Sequence, residues 1–246
     1  MATTLDDVLH DLTAEFERLE SILSGLSDAQ WQVRSGAPDW TVFEVVVHLA
    51  ITEEGVTQTL AGPTGTWTHR DRPLDAAVDD NVRAVHATPD EILARWRAAR
   101  HASVAALRAA DPHRPVRWAA APLKPQTLAT TRLAEHWAHG LDITEPLGIA
   151  FPDTDRLRHI AWLGHATLPY AMRLAGLEVH DVHCVLTAPG GSLWEFGPSD
   201  AASQITGPAG ALCRVGARRL KGDESGLSAT GPHAHDALRV LRNYAA

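Results

Sequence analysis

Residues 132–142 read RLAEHWAHGLD. Five of these eleven side chains ionise and two are histidines three apart, yet the stretch has the texture of a helix packed in a core. At 3.6 residues per turn, Glu135 and His139 lie on one helix face about a turn apart. A carboxylate and an imidazole so placed are two of the three protein ligands that an open, catalytic type of zinc site uses. The same two residues also read as an ordinary helical charge pair. His136 is three residues from His139 but turned by about 100° from Glu135, which puts it on another face. Two ligands are not a site, so a third must come from elsewhere in the chain.

Residues 40–50, WTVFEVVVHLA, offer one imidazole, His48, in an otherwise apolar run. Thr41 with Glu44 three residues later forms a capping-box pattern that opens a helix over about 42–60. His48 reads either as a core histidine bonded to a neighbour or as the missing ligand. His10, His69, His86, His101 and His113 lie in polar or loop contexts and read as surface residues.

Further helices surround these two. Leu5, Val8, Leu9, Leu12, Phe16, Leu19, Ile22, Leu23 and Leu26 recur at steps of three and four, the stripe of an amphipathic helix. Ser27 to Gln30 resembles a capping box for a short turn. Thr88-Pro89-Asp90-Glu91 combines a cap, a first-position proline and a third-position glutamate, and predicts a helix to about Ala110. A proline-broken loop is expected over 111–125, a helix over 126–144, and another opening at Asp153-Thr154 and ended by Gly176.

From Leu177 the texture changes. Val182, Cys184 and Leu186 alternate with polar residues, Pro189-Gly190-Gly191 makes a turn, and alternation resumes at Leu193, which predicts a hairpin. Thr206-Gly207-Pro208-Ala209 and Thr230-Gly231-Pro232-His233-Ala234 each read as a strand end followed by a helix start. The expected fold class is α+β, with a helical bundle over 1–150, then a linking helix and a small α/β domain over 151–246.

The 246 residues, 45% hydrophobic and 21% charged, are enough for one large core or two modest ones. The net charge is −8, and the short mixture of Arg, His and Asp over 68–72 is no backbone-tracking run, so no nucleic-acid partner is expected. The opening MATTLDDVLHDL is acidic where a secretory signal needs a basic start, and no apolar run approaches a membrane span. Cys184 and Cys213 read as buried thiols. A cytoplasmic protein with no membrane partner is the expectation; its oligomeric state is left open.

The two segments WTVFEVVVHLA and TTRLAEHWAHGLD together resemble the metal-binding signatures of the DinB-like superfamily, and within it the mycothiol-dependent maleylpyruvate isomerase branch. The likeness continues through residues 185–219 and 227–238, so it covers nearly the whole chain. It is nearest a subgroup with an Ala-Thr-x-Arg-Leu-x-Glu-x-Trp-Ala-His-Gly-x-Asp signature, present here from Ala129 to Asp142. The Pro- and Ala-rich loop 111–125 and the terminal Asn243-Tyr244-Ala245-Ala246 depart from the subgroup's pattern.

The resemblance implies an up-and-down DinB-like bundle in which His48, Glu135 and His139 hold one divalent metal, zinc by preference, with nickel, iron or cobalt also suited to the donors. It implies mycothiol as a thiol cosubstrate, activated on the metal for transfer to, or isomerisation of, a small electrophilic substrate. Asp142 is expected to orient a ligand imidazole or stabilise the helix end. Arg219, with Arg218 beside it, matches the position of an arginine that serves the substrate carboxylate. Two other readings stay open: a thiol-independent Lewis-acid enzyme for hydrolysis, elimination or cyclisation, and a non-enzymatic protein that binds metal or a small ligand under stress.

Overall fold

In the computed structural model, residues 3–62, 74–119 and 121–243 are described. The 68–72 run, His69 and the 244–246 tail lie outside them. The chain divides into two compact units, one reaching Phe151 and the other beginning at Pro152. The fold is α+β, as its sequence predicts.

Four long helices build the first unit: α1 (Leu5–Leu23), α3 (Val42–Ala61), α5 (Pro89–Ala109) and α6 (Pro125–Thr144), with the short α2 (Asp28–Trp31) and α4 (Leu74–Arg83) between them. Capping boxes start α1 at Thr4 and Asp7, α2 at Ser27 and Gln30, α3 at Thr41 and Glu44, and α5 at Thr88 and Glu91. Each box satisfies backbone N–H groups that the first turn would leave open. Proline supplies the first turn of both α5 and α6. α3 packs along α5 and α1 along α6, while α1 against α5 and α3 against α6 close the bundle.

Of these four long helices, α3 and α6 are the most enclosed. On α3 every residue from Val45 to Ala50 is buried, and on α6 so is every residue from His136 to Thr144. A helix buried on all sides carries polar groups inward only if they find partners there. Gly140 lets the chain fold back tightly: a Cβ at that position would lie 2.4 Å from the Phe151 ring. The Arg18 guanidinium covers the ring at 3.5 Å from its centroid.

Two elements of this unit differ from the sequence expectation. The stretch 111–125 is not wholly a loop, because Val116–Trp118 (β1) and Ala121–Leu123 (β2) pair as an antiparallel hairpin. α4 is a helix the sequence reading omits; it buries Ala77 and Val82.

The second unit begins with α7 (Leu157–Leu174), followed by β3 (Val182–Thr187), β4 (Leu193–Phe196), β5 (Ser203–Pro208), α8 (Ala209–Gly216), β6 (Ser228–Thr230) and α9 (Ala234–Val240). The strand order is β4-β3-β5-β6, with β3 and β5 parallel and the outer pairs antiparallel. The expected hairpin is thus β3–β4. Alternation brings Cys184, Leu186, Trp194 and Ile205 into the core. Both cysteines are free and buried. α7 starts at Leu157 and not at Asp153-Thr154, because the nearby carboxylates serve distant partners: Asp153 pairs with Arg214 and Asp155 accepts from the Gly190 N–H.

Candidate metal centre

α3 and α6 bring His48, Glu135 and His139 together across the bundle. His48 Nε2 lies 3.4 Å from Glu135 Oε2, and His139 Nε2 lies 3.6 Å from the same oxygen. One donor atom from each of the three falls within 4.8 Å of the others. Around a tetrahedral zinc with bonds of about 2.0–2.1 Å, neighbouring donor atoms stand about 3.4 Å apart. Two imidazoles and one carboxylate at these separations therefore fit a divalent ion and leave one position open.

Electrostatics hold the three in complementary states. Burial opposes ionisation of Glu135, but hydrogen bonding with His139 and His48 outweighs it and keeps the carboxyl well below its usual range. Burial likewise works against charge on His139, yet Asp142 and Glu135 raise it to about 9. For His48 burial prevails and lowers the imidazole below its ordinary value, with Glu135 pulling the other way.

Asp142 Oδ2 stands 2.8 Å from His139 Nδ1. A carboxylate accepts, so Nδ1 donates; the protonated ring also donates its Nε2–H to Glu135, and the ring made neutral would keep Nδ1–H on Asp142 and leave the Nε2 lone pair for a cation. Asp142 is fixed in turn by the loop before α3: the Gly36 N–H donates to its carbonyl at 2.8 Å. A Cβ on Gly36 would lie 3.0 Å from Asp142 Oδ1 and 3.1 Å from its Cα, so a larger residue there would have to shift Asp142 by a few tenths of an ångström. The same loop delivers Trp40, whose ring centroid lies 5.2 Å from that of His48 and 6.4 Å from that of His139. Its indole N–H donates to Asp79 on α4 at 2.9 Å. Trp40 stands in the WTVFEVVVHLA segment, but only the folded loop shows that it walls the site.

His136 has a different task. Its Nδ1 lies 2.9 Å from the Arg132 carbonyl and its Nε2 accepts from the Trp96 indole at 3.2 Å. These partners fix the Nδ1–H tautomer and engage both nitrogens. Burial and the Arg132 charge keep the ring neutral, its pKa well below the ordinary value. His10, His86, His101 and His113 are exposed. Arg219 belongs to the second unit, in the turn that ends α8: Arg218 adopts a φ of 57°, and Arg219 Nη1 donates to the Ala217 carbonyl at 2.8 Å.

A helical bundle in which two packed helices converge two imidazoles and a carboxylate has the arrangement from which interhelical divalent-metal sites are built. Residues 12–144 match the model of the mycothiol maleylpyruvate isomerase N-terminal domain. The chain belongs to that family. Two Mycobacterium tuberculosis proteins, from strains CDC 1551 and H37Rv and both described as uncharacterized, are 32% identical to it over 252 residues, covering 96% of this chain and 94% of theirs. The crystal structure of the mycothiol-dependent maleylpyruvate isomerase shares the fold with a TM-score of 0.65 at 15% identity, and a mutant of it with 0.63 at 16%; each covers 93% of both chains. Among the described residues no helix is long and apolar enough to cross a membrane.

Proposed function

We propose that this protein is a divalent-metal-dependent enzyme that activates a low-molecular-weight thiol of the mycothiol type and directs it at a small electrophile, for transfer or isomerisation. The observation that carries this reading is the convergence of His48, Glu135 and His139 at spacings suited to one cation. Family membership supports the thiol, since the matching domain and the solved relatives are named for mycothiol. A divalent cation, zinc by preference, would supply an open position at which a thiol is stabilised as its anion at neutral pH.

The chain's own residues prepare that position. Asp142 holds the His139 Nδ1–H and so sets the ring plane. Glu135, kept ionised, balances part of the cation's charge. Trp40 lays an indole beside both imidazoles. Separately, the family resemblance suggests Arg219 of the second unit for an anionic substrate, for which a guanidinium fork is suited.

The test is incubation of the metal-loaded protein with mycothiol, glutathione or no thiol against a panel of electrophiles, read by mass spectrometry. Adducts or isomers should form only with a thiol, and Arg219→Ala should lower turnover of anionic substrates without loss of metal. Equal turnover without thiol would favour the Lewis-acid alternative. No product under any condition would favour a binding protein.

A pH dependence follows from His139. In the metal-free protein its raised pKa of about 9 contributes stability that is full below the ordinary value of 6.5 and is lost as pH rises through about 9. The metal needs the neutral ring, so the sign reverses for binding, and a proton must leave. Affinity should rise about tenfold per pH unit from 7 towards 9, with about one proton released per ion. Isothermal titration in buffers of different ionisation enthalpy measures both; an affinity flat over that range would contradict the proton competition.

A further inference from the structure

One rung along from the three converging side chains, α3 and α6 are joined by a second, fully buried set of polar contacts. Arg132 Nε donates to Glu53 Oε1 at 2.7 Å, and Arg132 Nη2 donates to Thr52 Oγ1 at 2.7 Å. The Thr52 hydroxyl in turn donates to the His48 carbonyl at 2.9 Å. Arg132 is 2% exposed, Glu53 0% and Thr52 5%. His136 joins through the Arg132 carbonyl. Arg132 precedes Glu135 by three residues and Thr52 follows His48 by four, so on each helix the contact stands one turn from a donor of the site.

We propose that the Arg132 fork on Glu53 and Thr52 is a positioning clamp, which fixes the rotation and axial register of α6 against α3 and thereby the spacing between His48 and Glu135. The inference rests on the metal reading above. A guanidinium holding two neighbouring residues of the facing helix at once fixes direction as well as distance, which a point charge does not. The hydroxyl bond from Thr52 passes that constraint to the backbone of His48 itself. The clamp is also a poor device for stability alone. Glu53 Oε2 is buried with no hydrogen-bond partner among the described residues, and a buried ion pair is commonly matched or surpassed by packed apolar side chains. What apolar residues cannot reproduce is the register.

The experiment compares wild-type protein with Thr52→Val and with the paired change Glu53→Met, Arg132→Met. Each is loaded with cobalt and read by its visible ligand-field spectrum, its cobalt affinity and its thermal midpoint. Both variants should remain folded, because one conserves shape and the other replaces the whole ion pair by apolar volume. Cobalt affinity should fall about 10–100-fold and the ligand-field bands should shift, as for other residues that orient metal ligands. Wild-type affinity and spectrum in whichever variant is folded overturn the clamp and leave the metal reading standing. Failure of the wild-type chain itself to bind cobalt overturns the metal reading, and the clamp with it.

Discussion

His139→Ala is expected to abolish stoichiometric binding of a divalent cation while leaving the helical circular dichroism close to that of the wild type. The substitution removes the donor that Asp142 orients and leaves two protein ligands, one on each of two helices. Three protein ligands are the usual minimum for a catalytic type of zinc site, so loss of one should reduce occupancy after dialysis to background. The fold should survive, because His139 is 8% exposed and removal of its ring opens a small space in a helix otherwise packed by Leu133, Trp137 and Leu141. The 2% exposed Asp142 carboxylate loses a partner, which costs about 1–3 kcal/mol and lowers the thermal midpoint without unfolding the bundle. His48→Ala should behave alike. Metal analysis showing full occupancy in either variant would remove the assignment.

Glu53→Ala is expected to produce the largest loss of stability among these single substitutions. It leaves the Arg132 guanidinium enclosed with its carboxylate gone, and breaking a buried pair in this way costs about 3–5 kcal/mol. For a chain of this size that corresponds to a fall of about 6–20 °C in thermal midpoint. The contrast with the paired methionine variant is the informative part: one member removed is costly, both removed is mild. Denaturant unfolding gives the number directly. A loss below about 1 kcal/mol would mean that Arg132 finds another partner or reaches water.

The parts of this structure legible in the sequence are those written locally. The capping boxes at Thr41 and Thr88 and the proline at 89 mark helix starts because their partners lie within one turn. The alternation from Val182 and the Pro189-Gly190-Gly191 turn likewise mark the β3–β4 hairpin. The β1–β2 hairpin is not legible: its strands are three residues long and partly exposed, so no alternation develops. α4 does carry a signal, in Leu74, Val78 and Val82 at steps of four. The start of α7 misleads because the Asp153 carboxylate that looks like a local cap bonds 61 residues away.

The site divides in the same way. Glu135 and His139 share a face by spacing alone, and the commitment of His136 elsewhere follows from its rotation on the helix. His48 stands out only through the family resemblance, since one imidazole in an apolar run has no partner in its own segment. The Trp40–Asp79 bond spans 39 residues, and the Arg132 contacts to Glu53 and Thr52 span 79 and 80. No periodicity announces pairings of that length; packing of α3 against α6 creates the Arg132 contacts, and packing of α4 against α3 the Trp40 bond.

Anomalous diffraction from crystals grown with zinc, recorded on both sides of the zinc absorption edge, tests the central claim most directly. The account predicts one strong peak per chain, bonded to His48 Nε2, a Glu135 carboxylate oxygen and His139 Nε2 at about 2.0–2.2 Å, with Asp142 still on His139 Nδ1. A peak bonded to His136, or none between His48, Glu135 and His139 at saturating zinc, would contradict it.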